Sequence, residues 1–410
     1  MGNVAEMGHG RVLAPAAAVP AAPGAAAGQP AGREAPPLRF SHIRLADRER
    51  FDALFAAAGP QISDLTFSNL LMWRRMINFR VAWHGGFACI LAIPYKYPPY
   101  MYAPVGAAGI GEGVAVGAAS AAASIAAGIG GADAADGAVG IGEIGAAVKI
   151  GGVGAAVGIG GTGAASGAAG FGGIGAAGFE DAVRKCVEFF RWKGWAPRFR
   201  CVPAGAAQAV ESAMVGCGCK PRREEDRDFF DYVYLASDLI GLRGKKFDGK
   251  RNHINKFRKM YDYEYEKLAP SHIDECLRIM YDRCVENDCG CLRGKFYSCD
   301  RKPSMELLSN YGSLGCTGAV IKVNGRCEAF TVGEALNADT AVIYIEKANA
   351  SIQGLYSFIN QQFCEREWSG MTYINREEDE GVEGLRKAKL SYHPVRLVEK
   401  YTISDAAGGA

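Results

Sequence analysis

AVIKVNGRCEAFTVGEALNADTAVIYIEKANASIQGLYSFINQQFCEREWSGMTYIN, residues 319–375, decides the fold. Its first half is three apolar, β-branched runs: AVIKV (319–323), RCEAFTVGE (326–334) and TAVIYIEK (340–347). Asn324-Gly325 is the strongest short hairpin signal, because both residues tolerate the positive φ of a type I′ turn. A second turn, Asn337–Asp339, leads into the third run, so the three form an antiparallel meander. The period then switches to helical in LYSFINQQFCEREW (355–368) and back to a strand in MTYIN (371–375). A strand–helix–strand crossover sets its two strands parallel and right-handed. An antiparallel sheet that turns parallel at its centre must splay there, and the gap admits a ligand.

Working outward, a helix is expected over EGLRKAKLSY (383–392) and one closing strand over VRLVEKYTI (395–403). Upstream, helices are expected over KRNHINKFRKMY (250–261), 273–285 and 305–311. The earlier chain runs in a similar order. A strand (38–45), helices (48–58 and 65–76), a hairpin turned at Gly85-Gly86 (79–93) and a strand (100–105) precede a helix (179–194), a strand (197–202), a helix (206–214) and a strand (230–236). The chain therefore reads as a duplicated α/β (α+β) unit with mixed central sheets, a repeat of element order rather than of residue identity. The boundaries are 38–235 and 236–405.

Two biased blocks fall outside that frame. Residues 1–37 are rich in Ala, Pro and Gly, with too little apolar surface to offset ordering entropy, and read as a disordered tail. Of the 73 residues 106–178, 25 are Gly and 24 Ala, which makes this block a low-complexity insertion. The remaining length still exceeds what one core comfortably holds, about 250–300 residues at most. Lys and Arg number 46 against 44 Asp and Glu, a net +2 that excludes a chain-wide polyanion-binding coat but not a local patch. No apolar run of transmembrane length and no secretory signal is present. The 13 cysteines then read as reduced thiols in a cytoplasmic protein.

The densest charge lies in RGKKFDGKRNHINKFRK, Arg243–Lys259, with eight cations and one acid, Asp248. Ile254, Phe257 and Tyr261 form a buried helical stripe, which leaves Lys250, Arg251, Lys256 and Lys259 outward. Lys245, Lys246, Lys250 and Arg251 gather at the helix start, where unpaired N–H groups favour anions. The phosphate-site reading competes with a plain solvated face balanced by the acidic run Glu377–Glu380. Gln353-Gly354, between Glu346 and the next helix, allows a backbone to approach a ligand, or is simply turn chemistry. On GLRKAKLSYHPV, the residues Leu385, Ala388 and Tyr392 share a stripe ended by Pro394. Tyr392 is then either a proton donor near the splay or a core tyrosine; Lys387 and Lys389 lie off the stripe. Cys284, Cys289, Cys291 and Cys299 have C-x-C spacing and no well-placed histidine, which argues against zinc, and Cys217 and Cys219 read as loop residues. No P-loop, H-E-x-x-H or G-x-S-x-G occurs, and His253 reads as a surface residue.

GKKFDGKRNHINKF (244–257), VIYIEKANASIQGLYSFINQQF (342–363), YINREEDEGVEGLRKAKLSYHPVRLVEKYTI (373–403), SDLTFSNLLMWR (63–74) and YMYAPVG (100–106) resemble the soluble bacterial family related to the C-terminal domain of phosphatidylglycerol lysyltransferase. The likeness spans about 38–105 and 179–404. It implies two tandem GNAT-type acyltransferase units, akin to the Fem aminoacyltransferases, and transfer of an acyl or aminoacyl group from a carrier to an amine or hydroxyl. It places Lys250, Arg251 and Asn252 at the basic helix start, Lys389 with Pro394 in the final motif, and Tyr392 where a GNAT acetyltransferase often keeps its acid. The expected donor-phosphate residues are Lys246, Lys250, Arg251, Asn252, Gln353 and Gly354. Tyr392 and Lys389 are the expected catalytic residues, and Glu346, Asn375, Arg376 and Lys387 the expected substrate pocket. The pyrophosphate loop of CoA-dependent relatives is reduced to Gln353-Gly354, so aminoacyl-tRNA is the expected donor and acetyl-CoA the competitor. No tightly bound cofactor and no metal are expected. A flippase domain is missing from the sequence, so a lipid acceptor is disfavoured, while peripheral membrane contact stays open. The competing non-enzymatic reading is a tandem unit that only binds RNA or another polyanion.

Overall fold

The computed structural model describes residues 35–106, 176–293 and 299–406. The tail 1–37 and the insertion 106–178 thus lie outside the described residues, except at their edges, where Gly106 ends a strand and Ala176 opens a helix. In chain order the elements are β1 (Ser41–His42), α1 (Arg48–Ala58), α2 (Phe67–Ile77), β2 (Arg80–His84), β3 (Phe87–Ala92), β4 (Tyr100–Met101) and β5 (Val105–Gly106). Then come α3 (Ala176–Lys193), β6 (Arg198–Pro203), α4 (Ala204–Gly216), β7 (Pro221–Glu225), β8 (Asp231–Leu235), α5 (Ala236–Gly241), α6 (Asp248–Met260) and β9 (Tyr263–Lys267). The rest are α7 (Ile273–Glu286), α8 (Arg301–Ser309), β10 (Thr317–Val323), β11 (Arg326–Ala335), β12 (Thr340–Ala348), α9 (Leu355–Glu367), β13 (Tyr373–Asn375), α10 (Glu383–Leu390), β14 (Arg396–Val398) and β15 (Lys400–Asp405).

Local chemistry accounts for most boundaries. Thr66 caps α2 by accepting from the Asn69 N–H at 3.1 Å, and Asn78, left-handed, ends it. Asn324 and Gly325 both take positive φ, 51° and 79°, as the hairpin between β10 and β11 requires. The Asn337 side chain accepts from the Asp339 and Thr340 N–H groups and so fixes the next turn. Two edge strands are dominated by charge: β7 is PRREE and β9 is YEYEK.

Two sheets result, with orders β1-β2-β3-β4-β6-β15-β7 (β5 pairs β3) and β14-β8-β13-β12-β11-β10-β9. Each is an antiparallel four-strand set joined in parallel to a fifth strand, β4 to β6 in one and β12 to β13 in the other. The duplication is therefore real, and both units are GNAT-type. The boundary at 235/236 needs correction, however. Strand β8, assigned from sequence to the first unit, pairs with β13 and β14 in the second sheet. Strand β15, assigned to the second unit, lies between β6 and β7 in the first. The expected single strand 395–403 breaks at Glu399 because its two ends belong to different sheets. The units have exchanged strands reciprocally.

The layers follow from this. One core lies between the first sheet and α3 and α4, centred on Phe190, Phe199 and Val210. Another lies between the second sheet and α5, α6 and α9, centred on Phe257, Phe358 and Phe363. A third joins the units: Phe51, Leu70 and Leu71 of the first pack in one cluster with Ile279, Leu307 and Phe330 of the second. The exchanged strands start side by side. Lys400, first residue of β15, is fully buried with its ammonium 2.7 Å from Asp231, first residue of β8, and 2.5 Å from Asp64. Asp231 also accepts from the Ser63 N–H (2.7 Å), the Ser63 hydroxyl (2.9 Å) and Asn375 (3.0 Å). Removing one partner of such a group strands the other charges away from water. Lys400→Met is expected to destabilise the protein by about 3–5 kcal/mol in urea unfolding; a loss below about 1 kcal/mol would show that the pair does not hold the crossing.

Candidate active site

The splay begins where β13 changes partner. Its last parallel pair with β12 is Val342–Asn375. Beyond it, the Arg376 N–H donates to the Tyr232 carbonyl of β8 and the Tyr232 N–H donates to Glu377, so the chain follows β8 and leaves β12 open. A bulge at Val332/Gly333 bends the neighbouring pair at the same level. Gly333 is required there, since a Cβ would lie 2.3 Å from the Val342 carbonyl oxygen.

Arg376 spans the opening, with Nη2 3.0 Å from Glu346 Oε1. Asn360 of α9 donates to the other Glu346 oxygen at 2.9 Å. Arg376 Nη1 and Asn360 Oδ1 are buried without a hydrogen-bond partner among the described residues, so the cluster keeps polar capacity for something else. Tyr392 completes it: the Arg376 guanidinium lies 4.9 Å from its ring, its hydroxyl is 3.4 Å from Ser357 Oγ in the first turn of α9, and the Lys250 ammonium sits 3.9 Å over the ring face.

Burial sets the proton positions. It raises the Tyr392 phenol above its ordinary value, so at neutral pH the group is a proton donor. Burial, and then the Arg376 charge, draws the Lys250 ammonium below its usual value. For Arg376 burial opposes the charge, but the Glu346 carboxylate beside it helps hold the guanidinium charged. The site thus offers a phenol, a half-buried lysine and an oriented ion pair at an open sheet edge.

Of the expected residues, Lys250, Glu346, Arg376 and Tyr392 meet here, and the others do not. Lys389, expected to be catalytic, lies apart from this cluster: its buried ammonium donates to the Arg376 carbonyl (2.5 Å) and to that of Glu378, fixing the turn after β13. It is the buried residue of α10, whereas Leu385 and Ala388 of the expected stripe are exposed. Arg251 spends its guanidinium on the Leu242 and Gly244 carbonyls and on Asp248. Lys246 pairs with Asp238 at 3.1 Å. Asn252, Gln353 and Lys387 are exposed. Asn375 faces Asp231 rather than the pocket. The acidic run does not balance the basic helix: Asp379 binds Arg386, Arg227 and Tyr232.

Gly354 also changes role. At φ +89° a Cβ would lie 2.3 Å from the His253 carbonyl oxygen, so the close approach is made by the main chain of α6. This contact is what brings Lys250 over Tyr392. Sequence reasoning missed Ser357, Asn360 and Tyr234, although polar Asn360 on a buried helix face is a readable signal. The four cysteines whose spacing argues against zinc stand close together, the Sγ atoms of Cys284, Cys289, Cys291 and Cys299 lying within 4.8 Å of one another.

A splayed mixed sheet with a buried phenol and cations at the gap is an arrangement suited to group-transfer chemistry. Residues 151–404 match the family model described as phosphatidylglycerol lysyltransferase, C-terminal, and the chain belongs to that family. A conserved protein of unknown function from Bacteroides thetaiotaomicron is 31% identical, with TM-score 0.68, over 90% of this chain and 99% of that one. L-PGS from Bacillus licheniformis is 15% identical, with TM-score 0.42, over 56% of this chain and 74% of that one. An uncharacterized protein from Mycoplasmoides gallisepticum is 23% identical over 176 residues, 42% of this chain but only 55% of its own length. Among the described residues no helix is long and apolar enough to cross a membrane.

Two expectations follow. Gly354→Ala would drive α6 off α9, lowering stability and displacing Lys250; a crystal structure or amide exchange on α6 reads this directly, and an unmoved helix would refute it. Burial, with the Asp64, Asp231 and Glu380 carboxylates adding to it against Lys400, pushes Glu378 up to about 8. Its folded value exceeds its unfolded one, so its contribution is complete below the unfolded value and is lost as pH rises toward 8. Thermal melts of Glu378→Gln across that range should fall less with pH than those of the native chain.

Proposed function

We propose that this protein transfers an aminoacyl group from a phosphate-bearing carrier, aminoacyl-tRNA, to an amine or hydroxyl acceptor at the splay of the second sheet. The observation that carries the reading is Lys250 seated 3.9 Å over Tyr392, beside the Arg376–Glu346 pair. Family membership supports transfer as the chemistry, and the exposed Lys245, Lys256 and Lys259 on and before α6 support a polyphosphate donor. The space beside Gly354 is filled by the α6 main chain, which favours tRNA over coenzyme A, whose pyrophosphate would need that corner.

In this mechanism the acceptor lone pair attacks the ester carbonyl carbon. A bond forms to the acceptor, the ester C–O bond breaks, and Tyr392 gives its proton to the departing ribose oxygen. The acceptor's proton restores the phenol, so protons balance. Lys250 holds donor phosphate, and Arg376, aligned by Glu346, orients the substrate; positioning supplies most of the rate. The reaction is placed in the cytoplasm, where charged tRNA is available.

The test is mass spectrometry of small molecules and tRNA that co-purify with the protein, followed by transfer from labelled aminoacyl-tRNA. Tyr392→Phe should lower turnover on the order of 10²-fold or more with little change in tRNA retention. Lys250→Ala should weaken retention roughly tenfold or more, and added salt should weaken it further. Saturable binding of labelled acetyl-CoA without tRNA retention would overturn the donor assignment. RNA retention with no transfer to any amine or hydroxyl would leave a binding protein.

A further inference from the structure

The loop that joins α7 to α8 carries a second constellation, which the transfer chemistry does not use. Cys284 lies in the last turn of α7, Cys289 and Cys291 in the tight turn that follows, and Cys299 just before α8. The spacing is C-x₄-C-x-C-x₇-C. All four Sγ atoms lie within 4.8 Å of one another, and Cys284 is 3.6 Å from both Cys291 and Cys299. A disulfide would need about 2.05 Å. A tetrahedral thiolate shell with Zn–S near 2.3 Å places its sulfurs about 3.8 Å apart, close to what is seen.

The surroundings fit a metal better than a thiol core. Cys284 and Cys291 are buried while Cys289 and Cys299 are half-exposed, which leaves an entry path. The Cys289 N–H donates to the Cys284 carbonyl at 2.9 Å and so sets the turn that aims two sulfurs at the third. The Arg301 N–H points at Cys299 Sγ at 3.4 Å, the kind of outer donor that stabilises a metal-bound thiolate. Within the turn NDCGCL, Cys291 is buried while Leu292 is 40% exposed. No histidine or carboxylate belongs to the set, and four sulfurs with no oxygen donor select zinc over magnesium or calcium.

We propose that Cys284, Cys289, Cys291 and Cys299 bind one structural zinc ion that staples the end of α7 to the start of α8. Zinc binding exchanges four thiol protons for the metal, with no redox step. The staple also fixes Asp300, whose carboxylate is 2.6 Å from Lys347 on β12, next to Glu346. The metal therefore braces one wall of the splay without touching substrate.

The test uses the full chain purified under reducing conditions from zinc-replete medium. Elemental analysis should find one zinc per chain. Cobalt(II) titrated into the reduced, zinc-stripped protein should give the intense sulfur-to-metal charge-transfer band and tetrahedral visible bands of a four-thiolate site. Cys289→Ser with Cys299→Ser, the two half-exposed ligands, should abolish both signals. Cys217→Ser with Cys219→Ser should keep both, which controls for adventitious thiol binding. If the doubly substituted chain fails to fold, the cobalt titration of the native sequence still decides. Zinc well below one equivalent together with no charge-transfer band, or a disulfide among these four residues in reducing buffer, would overturn the proposal.

Discussion

The buried contact between Lys400 and Asp231 governs the architecture, because it sits where the two sheets trade strands. Each residue opens a strand belonging to the other half of the chain, and Asp64 from the first unit shares the same ammonium. A lysine with no exposure is tolerable only if its carboxylates approach from fixed directions, and Asp64 and Asp231 lie far from Lys400 and from each other in sequence. The crossing is thereby specified: a register slip of either strand would leave a bare charge inside the protein. Around it, the polar links Thr66–Tyr344, Ser68–Glu334 and Arg74–Glu306 join the same two halves, so the interface is a network rather than a seam of apolar surface alone.

The splay inherits its shape from that crossing. Because β8 occupies the place beside β13, the chain after Asn375 has a hydrogen-bonding partner other than β12 and departs with it. Arg376 is the first residue past the branch, which is why its guanidinium, and not its backbone, reaches β12 at Glu346. Lys389 then ties down the turn that follows by filling two of its carbonyls. The reactive corner is thus built from main-chain geometry first, with Tyr392 and Lys250 laid over it by α10 and α6.

Much of this was legible in the residues. Asn324-Gly325, the meander and the crossover announced the second sheet, and the order of elements announced its duplicate. Strand exchange was not legible, because β8 and β15 are good strands wherever they pair and propensity says nothing about partners. Strands β7 and β9 were hidden by their charges. Lys250, Arg376, Glu346 and Tyr392 come together at the splay, whereas Arg251, Lys246 and Lys389 are engaged elsewhere, because a cation in a sequence shows its charge, not the carbonyl or carboxylate that already occupies it. The closeness of the four cysteines was not legible, because C-x-C spacing describes local geometry, whereas Cys284 and Cys299 are brought together by two helix ends.

Reciprocal exchange also imposes a timetable on synthesis. Strand β6 is complete at Pro203, yet its neighbour β15 does not exist until the ribosome has passed Asp405, roughly 200 residues later. At about 5–20 residues per second, the first sheet stands with an unfilled slot between β6 and β7 for on the order of 10–40 s. Nascent chains of this protein must therefore hold two naked strand edges apart while the second half is still being made, a period in which a chaperone would have most to offer.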